Sequence, residues 1–382
     1  MKRTSITLAI VLAIGGIVAC GTSKPPPAGD NHGTTGGTSG SFGTGTGKPA
    51  GCGVDQAGAF CECVDVPLVA EPPNIYYVLD RSGSMSHDNK WTNARDAVTS
   101  LTKSLGAHAN FGAAIFPTGD DTCGPGIEVM SVRPGDPVAP NDPNAKTPTA
   151  DALYEAMLIP PQGGTPTAAT LQYVLGRVQP LKSKTYVVLV TDGAPNCNAA
   201  ATCTADLCSD NIAMVSGCPA GGPPNCCAPP NGANCIDSDL STKAVSDLAA
   251  AGFPTYVIGL ATSAMESDVL DKLAVAGGTA NTSGATKYYL ANDVTTAGLL
   301  GTLRKVAGRI AGACVQKLTA PPMDPALVNV YVDEVVVPQD PVNGWTLQGD
   351  TVTLVGDTCS RVESGDALDV RIIAGCPTVK PR

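Results

Sequence analysis

Residues 75–86 read IYYVLDRSGSMS. The first five, Ile75 to Leu79, are the aromatic and branched residues of a short buried strand. The run stops at Asp80, and Ser82, Gly83 and Ser84 follow at once. A carboxylate and two hydroxyls at i, i+2 and i+4 have little to offer a packed core. They converge on one point if the chain turns tightly as it leaves the strand.

Outward from this strand the pattern alternates. Residues 89–107 carry Trp91, Ala94, Val98, Leu101 and Leu105 at helical spacing. NFGAAIF (110–116) reads as a strand, with IEVMSVR (127–133) as its hairpin partner across a loop rich in Gly, Asp and Pro. Helices are expected over 149–158 and 166–180, divided by PPQGG, and TYVVLV (185–190) has the look of a strand buried on both faces. Helix 238–252, strand TYVIGL (255–260), helix 264–276, strand KYYLA (287–291) and helix 293–313 follow. This order predicts an α/β fold, a doubly wound and mostly parallel sheet with helices on both faces, whose ligands bind at the carboxyl ends of strands. Asp80 stands at one such end, and Asp192, in TDG directly after TYVVLV, at another.

Three segments, DRSGSMS after the first strand, GGTPT at 163–167 and TDG at 191–193, together resemble the von Willebrand factor A domain over about residues 74–313. That family binds a divalent ion at a metal-ion-dependent adhesion site. The resemblance implies Ser82 and Ser84 as direct ligands and Thr165 as a direct ligand in the ligand-ready state. It implies Asp80 and Asp192 acting largely through bound waters. The ion would be Mg²⁺, with Mn²⁺ or Ca²⁺ as alternatives, and the guest an acidic residue of a partner. The chemistry is sound by itself. Mg²⁺ takes six oxygens at about 2.1 Å, and hydroxyls and carboxylates from three loops are hard oxygen donors. Few directly bound carboxylates leave the ion electron-poor and ready for an external one. Each residue also has a plainer use: the serines as turn or cap residues, Thr165 as an N-cap before Pro166, Asp192-Gly193 as a turn. Asp88 lies where some relatives place acids for a second ion, but His87 beside it breaks that pattern, and a solvated loop acid is expected.

Two regions depart from the family pattern. After TDGAPN comes an insertion, 197–237, holding Cys197, Cys203, Cys208, Cys218, Cys226, Cys227 and Cys235. It could form a rigid rim over the metal or be a surface elaboration stapled for durability. Seven is odd, so if all are oxidised at least one cysteine pairs elsewhere, and Cys123 in the hairpin loop is a candidate. A zinc cluster is the rival reading, which an oxidising compartment disfavours. Beyond Cys314, VNVYVDEVVVP (328–338), TVTLV (351–355) and ALDVRII (367–373) are short strands with no helix pattern. They suggest a small β-rich domain over 314–382, held by Cys359 and Cys376 or by one of them with Cys314.

The N-terminus points to export. Lys2 and Arg3 precede SITLAIVLAIGGIVA (5–19), too short for a comfortable membrane span, and Cys20 follows Ala19. This resembles the lipobox of bacterial lipoproteins. It implies a signal peptide over 1–19, lipidation of Cys20 and membrane attachment through acyl chains. Gly21, in place of the aspartate linked to inner-membrane retention in some enteric bacteria, hints at the outer membrane or cell surface. Residues 20–50 are then anchor and flexible linker, in which GTGTGKP (43–49) lacks the ending and flanking strand of a phosphate loop. Residues 51–73 are a lead-in with Cys52, Cys61 and Cys63. With Cys20 set aside, an even number of the 15 cysteines is left for disulfides.

The 382 residues carry a formal charge of −10, which suits cations or basic patches on partners and not nucleic acid. HExxH and G-x-S-x-G are both missing, and DRS lacks the second aspartate of phosphoaspartyl transferases. The expected protein is therefore a binding module for a protein or other acidic ligand, in adhesion or envelope assembly, and not an enzyme. The alternative is an envelope scaffold whose metal only stiffens the loops.

Overall fold

In a computed structural model, the described residues are 53–54, 56–57, 61, 63–66, 71–118, 123–137, 146–204, 207–208, 227, 231–260, 264–312 and 314–381. The expected signal peptide, Cys20, the linker, Cys52, Cys218 and Cys226 lie outside them.

A short strand, β1 (Val64–Asp65), precedes β2 (Asn74–Asp80), α1 (Lys90–Leu105), β3 (Asn110–Phe116) and β4 (Ile127–Pro134). Helices α2 (Pro148–Ala156) and α3 (Thr167–Val178) lead to β5 (Thr185–Thr191). The alternation continues through α4 (Ser238–Ala250), β6 (Thr255–Leu260), α5 (Ala264–Ala276), β7 (Tyr289–Ala291) and α6 (Thr296–Ala311). Six strands make one sheet in the order β4-β3-β2-β5-β6-β7. Only β4 runs antiparallel to its neighbour within it.

The period of two along β2 explains both layers. Ile75, Tyr77 and Leu79 join a core with Trp91, Val98 and Leu101 of α1 and Leu299, Leu303 and Val306 of α6. Tyr76 and Val78 turn the other way, toward Leu171 and Val174 of α3, Val245 and Leu248 of α4, and Leu270 and Leu273 of α5. Helices thus cover both faces, and β2 and β5 are buried along their whole length. α6 is shorter than the apolar pattern suggests: it begins where the Thr295 hydroxyl accepts from Gly298 N at 3.3 Å. Among the described residues no helix is long and apolar enough to cross a membrane.

The C-terminal unit contains β8 (Val315–Lys317), β9 (Val328–Val332), β10 (Val335–Val337), β11 (Trp345–Gln348), β12 (Thr351–Leu354), α7 (Asp357–Glu363) and β13 (Val370–Ala374). Two antiparallel sheets, β1-β13-β9-β10 and β11-β12-β8, share a core that includes Val330, Trp345, Val352 and Ile372. The stretch 328–338 is two strands, not one. Asp333 and Glu334 both adopt positive φ (47° and 63°), which makes a tight hairpin between them. Helix α7 corrects the expectation that no helix occurs here. It buries only Thr358 and Val362, one turn apart, too brief a stripe to read as a period. The lead-in is part of this unit: β1 pairs with β13, and Cys61 is bonded to Cys376. Of the pairings open from the sequence, Cys314–Cys359 is the one formed.

Trp345 is fully buried, and its Nε1–H donates to Val337 O at 2.9 Å. Trp345→Phe removes that donor and opens a small void. It is expected to cost about 1–3 kcal/mol, read as a lower urea midpoint at unchanged m-value.

Candidate metal centre

The sheet reverses its direction of growth at β2, with β3 on one side and β5 on the other, so a crevice opens at their carboxyl ends. All five residues anticipated as ligands gather there. Asp80, the last residue of β2, is fully buried; Ser82 N donates to its Oδ1 at 2.7 Å and the Thr191 hydroxyl to its Oδ2 at 2.5 Å. Burial, and then the charge of Asp192, push the Asp80 carboxyl up to about 7 against the pull of the Thr191 and Ser82 hydrogen bonds.

Neither Ser82 nor Thr165 is spent on capping a helix. Ser82 precedes a 3₁₀ turn (Gly83–Asn89) without capping it through its side chain. Its Oγ lies 3.1 Å from Ser84 Oγ, and Ser84 Oγ donates to Asp192 Oδ1 at 2.8 Å. Helix α3 starts at Thr167 with Pro166 at the cap position and no side-chain cap bond, so Thr165 is not spent on capping either. Thr165 is held from behind: its N–H donates to Asn196 Oδ1 at 2.7 Å, and Asn196 N–H returns a bond to Thr165 O at 2.9 Å. Gly83 N donates to Gly163 O at 2.8 Å, which stitches the serine loop to the threonine loop. Gly163 itself sits at φ 78°, a conformation that favours glycine. Ser82, Ser84 and Thr165 line one cleft of about 460 Å³ together with His87, Asn196 and Glu266. Asp88 is exposed and does not line it.

Four residues that matter here were not singled out from the sequence: Arg81, Lys90, Thr191 and Asn196. The Arg81 side chain is buried. Its Nε donates to Pro117 O at 2.7 Å and one terminal nitrogen to Pro160 O, so it ties the loops after β3 and α2 to the end of β2. Burial lowers its pKa from the usual arginine value. Lys90 Nζ donates to Asp192 Oδ2 at 2.8 Å. Lysine and arginine beside a run of polar loop residues read as solvent-facing, and only the meeting of distant loops covers them.

The insertion begins at the cleft. Cys197, at φ 74°, is bonded to Cys123 of the β3–β4 loop, the candidate partner, so both loops lie at the same end of the sheet. Its base is closed by Cys197 N to Ala233 O and Asp237 N to Pro195 O, both 2.8 Å. Cys203–Cys235 and Cys208–Cys227 are disulfides. The sulfurs of Cys203, Cys227 and Cys235 lie within 4.8 Å of one another, yet all three are spent in these bonds and offer no thiolate to zinc.

Two buried carboxylates stand side by side in a pocket of hydroxyl oxygens, and among the described residues Lys90 is the one cation bonded to either of them. That donor set fits a hard divalent cation, which would be held by Ser82, Ser84 and Thr165 with Asp80 and Asp192 behind them.

No family model matches the chain, and neither does any curated protein. Solved structures do resemble it. The open conformation of the pilus adhesin SpaC from Lactobacillus rhamnosus GG is 16% identical with a TM-score of 0.47; the match covers 81% of this chain and 39% of that one. A von Willebrand factor type A structure from Catenulispora acidiphila is 14% identical with a TM-score of 0.39, over 82% and 59% of the two chains. The von Willebrand factor domain of the type V pili tip protein Mfa5 from Porphyromonas gingivalis is 12% identical with a TM-score of 0.39, over 64% and 94%. The chain spans about two fifths of the length of the pilus adhesin.

Proposed function

We propose that this chain is a binding module that takes up one Mg²⁺, Mn²⁺ or Ca²⁺ at Asp80, Ser82, Ser84, Thr165 and Asp192 and captures a carboxylate of a partner there. The observation that carries this reading is the bonded run from Ser82 through Ser84 to Asp192, closed over a second buried carboxylate. The bound cation would supply an electrophilic point for the guest oxygen. The protein's part is to preset its donors: Asn196 fixes the Thr165 backbone, Gly83 and Gly163 lock two loops together, and Thr191 orients Asp80. The resemblance of the three sequence motifs to the von Willebrand factor A domain supports an adhesive or envelope-assembly role over catalysis. Lipidation at Cys20 would tether the module to the cell envelope, at the outer membrane or surface.

Calorimetry and thermal melting of the oxidised full chain test the reading. One divalent ion per chain is expected to bind, and at about one hundred times Kd to add about 2.7 kcal/mol of stability. EDTA should also release an acidic peptide from the loaded protein. A chain that takes up none of the three ions sinks the reading. Retention of the peptide in EDTA, with only the melting temperature falling, would leave a scaffold whose metal stiffens loops.

A further inference from the structure

Asp192 divides its two oxygens. Oδ1 accepts from Ser84 Oγ at 2.8 Å, and Oδ2 accepts from Lys90 Nζ at 2.8 Å. Lys90 is the first residue of α1, preceded by Asn89 in the left-handed conformation (φ 55°), and its ammonium takes the carboxylate oxygen that Ser84 does not. The Asp192 side chain is fully buried and that of Lys90 is 13% exposed. Bulk salt and water therefore screen this pair weakly.

We infer that Lys90 is a resident monovalent cation that weakens uptake of the divalent ion and strengthens the loaded site's hold on carboxylates. This rests on the metal-binding reading above and deepens it. The ammonium and an incoming divalent ion share one carboxylate, so they repel, and the ion must bind against a positive charge that is already in place. Once the ion is bound, the same ammonium makes the site one charge more positive than Asp80, Asp192 and the metal would be by themselves. A guest carboxylate feels that extra charge. Lys90 therefore moves the two affinities in opposite directions, which a purely structural lysine would not do. It also explains how buried Asp192 is tolerated before metal arrives, since a buried charge needs a partner.

The test compares wild type with Lys90→Met and Lys90→Gln, which keep most of the side chain's length and remove its charge, and with Lys90→Arg, which keeps the charge. Mg²⁺ and Mn²⁺ affinities are measured by calorimetry, and acetate affinity of the Mg²⁺-loaded protein by NMR titration. The neutral variants are expected to bind Mg²⁺ at least tenfold more tightly and acetate at least threefold more weakly, with Lys90→Arg close to wild type. They should also melt lower without metal and show a larger metal-induced rise. If one neutral variant fails to fold, the other carries the comparison. Should wild type bind Mg²⁺ while the neutral variants bind it equally or more weakly, the inference is wrong and the site reading stands. Equal acetate affinity in wild type and both neutral variants also overturns it. If wild type itself takes up no metal, the functional reading fails first and this inference with it.

Discussion

Asp80→Asn is expected to abolish measurable metal uptake, a loss of at least about a hundredfold, while making the metal-free protein more stable. The second effect follows from the first residue's setting. Asp80 is fully buried, and burial together with the charge of Asp192 raises its carboxyl from the usual range to about 7. A folded-state pKa above the unfolded value means that the folded protein holds the proton more tightly, so stability falls as pH rises through the window between the two. At neutral pH the metal-free protein therefore carries a penalty that asparagine removes. The amide oxygen can still accept from Ser82 N, and the amide NH₂ can donate to the Thr191 hydroxyl. A gain of roughly 1–3 kcal/mol is expected at pH 8. Metal-free wild type should also gain stability as pH is lowered from 8 to 5, and the variant should not gain it from this source. Urea titrations at the two pH values, with and without Mg²⁺, measure all of this. A variant that is less stable than wild type in EDTA, or that still binds Mg²⁺ comparably, contradicts the account.

Arg81→Met is expected to cost about 2–4 kcal/mol and to weaken metal binding at least tenfold, although Arg81 is not proposed to touch the metal. The buried guanidinium satisfies the carbonyls of Pro117 and Pro160. Methionine fills much of the volume but leaves both carbonyls unpaired, at about 1–3 kcal/mol each before relaxation. The loop through Pro160 continues to Gly163 and Thr165, and its register on the serine loop depends on that tie and on the bonds Gln162 N to Arg81 O and Gly83 N to Gly163 O, both 2.8 Å. Arg81→Lys should fail to rescue, because an ammonium is a point donor and not a planar fork. Urea denaturation and Mg²⁺ calorimetry check both effects. A change within about 0.5 kcal/mol would show that the loops hold together without the guanidinium.

Much of the α/β architecture could be read from residues because its signals are dense and local. β2 and β5 are apolar runs of strand length, α1 has five apolar residues at helical spacing, and the sheet has helices on both faces as expected. Asp80, Ser82, Ser84 and Asp192 stood out because polar residues directly after a buried strand are poor core material, whereas Thr165, between two helices, stood out only through the resemblance that GGTPT carries. What escaped depends on contacts between distant segments. β1 is two residues long, and its partner strand lies about three hundred residues downstream. Strand β11 and helix α7 are too short to show a period. Arg81 and Lys90 carry the residue types of a wet surface, and what buries them is loops drawn together by the sheet. Thr191 read simply as the first residue of the TDG motif, and nothing nearby in the chain shows that it ends β5 or that its hydroxyl faces Asp80.

The bond between Cys61 and Cys376 joins points 315 residues apart and closes a covalent ring around the whole α/β domain. Tension applied between a point before Cys61 and one after Cys376 crosses that sulfur bridge and never enters the six-stranded sheet. Stretching the molecule from its two sides would therefore add no length by unravelling β2 to α6. A load hung on the crevice is not shunted in this way: it would enter at the carboxyl end of β2, inside the ring.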